Sequence, residues 1–308
     1  MLIRPETPHD YAAIADLHAR AFENRSDEAV IVALLRSRRG YDPELSLVAE
    51  VEGKVVAHAL FSPVSVYLMG QPVKAVVLAP IAVSPSHQRR KIGADLIHEG
   101  HKSARDKGFA LSMLLGHVGY YPRFGYQTGA FGSSAITIPA LRLPSGDVES
   151  RPPTDTDANA LRALWLQQET PVDFALDPGA DLLEWLSPNP AIQPLVYVRG
   201  KQIIGYARIH KDEPHKPRML LAADAPSART IAGAIARRPG SSTRHDVVLP
   251  LHPGSKIAAA FGVPYAEAWD AAMARSLVEN PFDEYYSLLK NSKRPPGRPI
   301  WPAAFDLA

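Results

Sequence analysis

The stretch SPSHQRRKIGADL, Ser84 to Leu96, places Arg89, Arg90 and Lys91 side by side, just ahead of Ile92-Gly93-Ala94. The run before it, VKAVVLAPIAV from Val73 to Val83, is almost wholly apolar, as a strand covered on both faces should be. A helix is expected to begin at Ile92. A helix N-terminus offers free N–H groups and a partial positive charge, so this strand, turn and helix form a natural anion site. Gly93 lets a ligand approach the backbone, and Ala94 keeps the next turn thin. The three cations can pair with phosphate oxygens. The plainer alternative is a solvated basic loop, but the strand–turn–helix context favours a pyrophosphate cradle.

A second chemical cluster is GYYPRFGYQTGAF, Gly119 to Phe131. A phenol of pKa about 10 is protonated at neutral pH and can act as an acid, which makes Tyr120 and Tyr121 candidates. Phe124 and Tyr126 are expected to pack in the core. Candidate bases are Glu23, Asp27 and Glu28, between two predicted helices, and His117, just ahead of the Tyr pair. His98 and His101 lie three apart on a helix, but no third ligand accompanies them. They are expected to be solvent-exposed, and no metal site is predicted.

These residues need elements to position them. The first part of the chain predicts a strand (2–4), helices (about 9–23 and 27–38), a hairpin (46–66), a strand (73–83), a helix (92–107) and a strand (110–115). A short helical segment and further strands follow, to about residue 138. At 308 residues the chain suggests two domains. A net charge of +2 is too small to attract nucleic acid or membranes broadly. The absence of cysteine removes disulfides, thiolate catalysis and cysteine-ligated metals. The N-terminus carries charges where a signal peptide needs an apolar core, so a cytoplasmic protein is expected.

The chain repeats itself. RPETPHDYAAIADL (Arg4–Leu17) and RPPTDTDANALRAL (Arg151–Leu164) agree at six of fourteen positions, each with a Thr/Asp cap cluster ahead of a helical pattern. LVAEVEGKVVAHALF (Leu47–Phe61) and LVYVRGKQIIGYARI (Leu195–Ile209) both read as hairpins around a Gly-Lys turn. The expected architecture is α+β: two related domains, 1–145 and 146–308, each a mixed, mostly antiparallel sheet flanked by helices. The boundary is placed in the Pro-rich stretch Ile138–Pro153. The tail, KNSKRPPGRPIWPAAFDLA, is expected to pack through Trp301 and Phe305. In the second half, Ala222–Arg238 keeps no such cradle, and no Tyr pair precedes Phe261-Gly262.

LAPIAVSPSHQRRKIGADLI resembles the acetyl-CoA-binding motif of the GNAT N-acetyltransferases, Gln/Arg-x-x-Gly-x-Gly/Ala. Gln88 fills its first position and Gly93 its last, while Lys91 stands where the inner Gly is usual. Within that superfamily the first half is similar to uncharacterised bacterial acetyltransferases with LAPIAV and YYPRFGY segments, and the second half to a degenerate copy. The resemblance implies that Ile81, Ala82 and Val83 hold the pantetheine arm through their backbone. It implies a pyrophosphate site at Gln88, Arg89, Arg90, Lys91, Ile92, Gly93 and Ala94, where Lys91 in ordinary helical dihedrals would still donate its N–H. Tyr121 would be the general acid beside the CoA sulfur, with Tyr120 its substitute, and a free strand N–H would stabilise the oxyanion. The implied activity is acetyl-CoA-dependent N-acetylation of a small-molecule or peptide primary amine by direct attack. The alternative is a non-catalytic acyl-CoA-binding regulator or sensor. Deprotonating a lysine-like amine at pH 7 costs roughly 4.6 kcal/mol, which a base or a desolvated pocket must offset.

Overall fold

The computed structural model describes residues 1–23, 25–238 and 246–307; Ala308, the end of the tail, lies outside them. In chain order the elements are β1 (Leu2–Pro5), α1 (Tyr11–Ala21), α2 (Asp27–Ser37), β2 (Ser46–Val51), β3 (Lys54–Leu68), β4 (Gln71–Val83), α3 (Ile92–Asp106) and β5 (Leu111–Leu115). Next come β6 (Gly132–Ile138), β7 (Glu149–Arg151), α4 (Ala158–Glu169), β8 (Phe174–Asp177), β9 (Ile192–Arg199) and β10 (Gln202–His210). The chain closes with β11 (Met219–Ala222), α5 (Ala225–Ala236), β12 (Val247–Leu249), β13 (Tyr265–Ala268), β14 (Ala272–Ser276) and α6 (Phe282–Lys290).

The main sheet has the order β1-β2-β3-β4-β5-β14, with β8 on the far end of β3. Of its pairings only β4 with β5 is parallel; the others are antiparallel. One face is covered by α3, whose apolar positions Ile92, Leu96, Ile97 and Ala104 recur at helical spacing and are buried. Gly100 is required there: a Cβ at that position would come within 2.0 Å of the Phe61 ring.

The two sequence repeats fold alike. Arg4 bonds Asp10 at 2.7 Å, and Arg151 bonds Asp157 at 2.6 Å. The same aspartates accept the Thr7 and Thr154 backbone N–H at 2.8 and 2.7 Å. Hairpin β9–β10 extends to β11 and β7, as β2–β3 extends to β4 and β1.

The sheets nevertheless cross the expected boundary near residue 145. β14, from the second half, lies antiparallel on β5, while β6, from the first half, lies antiparallel on β12. Each half thus lends a strand to the other. Phe131 and Phe174 meet edge to face, and Trp301 of the tail packs on Phe131. Among the described residues no helix is long and apolar enough to cross a membrane.

Candidate functional site

β4 and β5 pair only from Ala75–Val77 against Leu111–Met113. Beyond that point β4 stays on β3 up to Val83, and β5 stays on β14, so the two strands part. Ser84 N–H donates to the Val56 carbonyl at 2.8 Å, in the same ladder that pairs Val83 with Ala57. Antiparallel alternation then turns the backbone groups of Ile81 and Val83 away from β3, into the gap. The side chain of Gln88 donates to the Val83 carbonyl at 3.3 Å. Ala82 is buried in the sheet.

At the end of β4 the turn rises into α3. The first α-helical bond runs from Asp95 N–H to the Lys91 carbonyl, so the N–H groups of Ile92, Gly93 and Ala94 have no partner within the helix. No side chain caps this end. Lys91 has φ 65° and Arg89 φ 62°, both left-handed, so Lys91 does not take the helical dihedrals expected from sequence. The bend that aims these N–H groups outward needs the left-handed conformation a Gly would adopt freely, and Lys91 adopts it under strain. Gln88, Arg89, Arg90 and Lys91 are exposed, and none of the three cations pairs with a carboxylate among the described residues. Ile92 points its side chain into the core and offers only its backbone.

The two adjacent phenols take different places. Tyr121 lines a cavity of about 860 Å³ that opens from the gap between β4 and β5, together with Val77–Ile81 and Leu115–His117. Its ring lies on Gly116, where a Cβ would come within 2.2 Å. Burial, and then the neighbouring Tyr120, push the Tyr121 phenol up to about 12. Tyr120 instead sets its hydroxyl beside Gly93 at the start of α3, with Arg123 stacked 4.7 Å over its ring.

A residue from the second half fixes this segment. Arg275 of β14 donates to the Phe124 carbonyl and, at 3.0 Å, to Nδ1 of His101. That leaves His101 Nε2–H to donate to the Tyr126 hydroxyl at 2.8 Å, which donates to Ser112 Oγ at 2.6 Å. His101 is therefore buried, where an exposed side chain was expected, and burial with Arg275 nearby holds its pKa near 3. His98 packs on Phe124. Among the described residues no group of three or more His, Asp or Glu is placed to hold a metal.

Of the four candidate bases, Glu28 and His117 line the cavity, and Glu23 and Asp27 do not. Glu28 keeps one carboxylate oxygen, Oε2, buried without a hydrogen-bond partner. Under α1 lies a second buried network. Glu6 accepts from Arg36 at 2.7 Å and from Tyr41 and faces His58 at 3.3 Å, while His18 meets His58 at 2.8 Å. Burial and the neighbouring His58 hold the His18 pKa near 3.

Arg208 of β10, Arg218 just ahead of β11 and Arg298 of the tail line the cavity from the second half. Sequence reading singled out none of them. They are far apart in the chain, in no motif, and in sequence Arg208 is one polar residue in a hairpin strand.

Comparison with known proteins gives four findings. The description "Acetyltransferase (GNAT) domain" matches residues 2–129. The uncharacterized N-acetyltransferase YjhQ of Escherichia coli K12 is 39% identical over 119 residues, 38% of this chain and 65% of that protein. The uncharacterized N-acetyltransferase YhbS of the same strain is 37% identical over 131 residues, 42% of this chain and 75% of that protein. A solved GCN5-related N-acetyltransferase from Kribbella flavida matches 90% of this chain and 72% of its own, with TM-score 0.69 and 19% identity, so the shared fold extends through both halves.

Proposed function

The chain belongs to the GNAT acetyltransferase family, and on that premise we propose that it is an acetyl-CoA-dependent N-acetyltransferase acting on a primary amine by direct attack. The parting of β4 from β5 carries the reading. It leaves strand backbone groups and a half-buried phenol on one cavity, and the same strand runs on into the uncapped N-terminus of α3.

Acetyl-CoA supplies an activated thioester. For its pyrophosphate the chain offers the N–H groups of Ile92, Gly93 and Ala94, with Arg89, Arg90 and Lys91 unpaired around them. The backbone of Ile81 and Val83 faces the gap where an extended pantetheine arm can bond as an added strand. An N–H of that edge can also stabilise the developing oxyanion.

Tyr121 stays protonated across the neutral range and can donate its proton to the departing sulfur. A phenol near 12 is a weaker acid than a thiol near 8.5, so it acts chiefly as a hydrogen-bond donor to the forming thiolate. Glu28 and His117, which line the cavity, are our candidates to take the proton of the attacking amine.

Thiol release from acetyl-CoA across a panel of primary amines tests the reading. Calorimetry should show one CoA site per chain, weakened about tenfold or more by Arg89→Glu with Arg90→Glu, while the apo melting temperature holds. Absence of thiol release with every amine, or CoA affinity indifferent to those charges, overturns it.

A further inference from the structure

The wall of the cavity that faces Tyr121 from the second half has unbalanced charge. Arg208 and Arg298 are 4% and 6% exposed, and each keeps a buried Nε–H for which the protein provides no acceptor. Arg208 bonds Asp306 at 3.2 Å, Arg218 lies 3.7 Å from the same carboxylate, and Arg298 bonds Glu169 at 3.2 Å. Three guanidinium groups thus share two carboxylates. Glu184, whose charge Arg208 also feels, is already paired with Arg38.

Buried guanidinium N–H groups are costly unless an acceptor meets them, and their planar fork suits carboxylate or phosphate oxygens. Ser134 adds a buried hydroxyl on the same lining with no partner of its own. Glu28 supplies the opposite charge: its unpartnered Oε2 lies on the wall built by α2. The lining is therefore complementary to a molecule with an ammonium and an anion, and hostile to a polycation.

We infer that Arg208, Arg218 and Arg298 form an acidic-group subsite, so that the acceptor is an amine that also carries a carboxylate or phosphate. The inference rests on the transferase reading above and narrows its substrate class. Arg218, 44% exposed, is the member that meets the ligand from the solvent side, while the two buried arginines hold their positive charge behind it in the wall.

The test uses matched acceptors on the full chain: ω-amino acids of graded length, their neutral amides, the corresponding aminoalkyl phosphates and a polyamine. Binding to the CoA-loaded protein is read by calorimetry and turnover by thiol release. The anionic amines should exceed their amides by about tenfold or more in affinity and in kcat/KM, and the polyamine should rank last. Comparison of carboxylate with phosphate tells which anion the subsite takes. Arg218→Gln should bring the ratio of anionic to neutral acceptor toward one, a ratio that a general loss of activity would not change. Amides binding and reacting as well as the acids, or a ratio unmoved by Arg218→Gln, would overturn the subsite. A binding preference without thiol release would support the subsite while counting against the transferase reading.

Discussion

The two halves share a fold and differ at the helix that follows the central strand. In the second half Asp224 caps α5, its carboxylate accepting the Ser227 N–H at 2.7 Å, so the position where an anion would sit is filled by the chain itself. In the first half α3 starts from Lys91 in a left-handed conformation, with no capping side chain and three cations around it. Packing follows the same division. Gly205 on β10 lets Ile231 of α5 close onto the sheet, since a Cβ there would come within 2.3 Å of it. In the first half the close approach is made by Gly100 of α3 on Phe61, and the cavity opens instead where β4 parts from β5. Where the first half sets Tyr121 three residues before Phe124-Gly125, the second sets Ala258 three before Phe261-Gly262. On the proposed reading, one fold used twice becomes a cofactor site in one copy and a wall in the other through a handful of side chains.

The largest effect that can test this division is at Tyr121. Tyr121→Phe should lower turnover by about 10²–10⁴ while leaving acetyl-CoA affinity nearly unchanged, since the ring still packs on Gly116. Tyr120→Phe, which removes a hydroxyl beside Gly93 rather than in the cavity, is the matched control. Steady-state kinetics and calorimetry on both variants decide the point. If Tyr120→Phe inactivates and Tyr121→Phe does not, the acid lies one residue earlier.

Acid should separate the halves next. His18 and His101 are held near 3 in the folded protein and return to about 6.5 when unfolded, and burial lowers His58 as well. The unfolded chain therefore takes up protons below pH 6.5 that the folded chain refuses. Stability from these groups is complete above that pH and is lost as pH falls toward 3, at about 1.4 kcal/mol per pH unit for each histidine. In the second half, among the described residues, His252 shares this buried, lowered state. Melting temperature should fall between pH 7 and 5, and His101→Gln should shallow the slope. A melting temperature flat over that range would mean these histidines are not held neutral.

Much of this was legible because it is local. The elements up to residue 115 follow from apolar periodicity, and the repeat shows because Arg4, Thr7 and Asp10 bond within one turn, as do Arg151, Thr154 and Asp157. The cradle is local too, a strand end and the first helical turn. What escaped is non-local. Strand exchange by β6 and β14 leaves no pattern in either strand. The burial of His101 depends on Arg275, 174 residues away. The arginine wall exists only once β10, the segment before β11 and the tail converge.

The smallest effect concerns the departure from the family motif. Lys91 holds φ 65° at a position whose usual occupant is Gly, and a non-Gly residue in that conformation costs about 1–2 kcal/mol. Gly would relieve that strain but gains about 0.4–1 kcal/mol of freedom in the unfolded chain. Lys91→Gly should therefore raise apo stability by about 0.5 kcal/mol, read from denaturant midpoints, while CoA affinity falls by the share owed to the Lys charge. Lys91→Ala keeps the strain and removes the same charge, so it should match the affinity loss without the gain in stability. If both variants lose stability alike, the left-handed turn is maintained by contacts of the lysine side chain, and the open start of α3 would owe its shape to that residue rather than to the backbone.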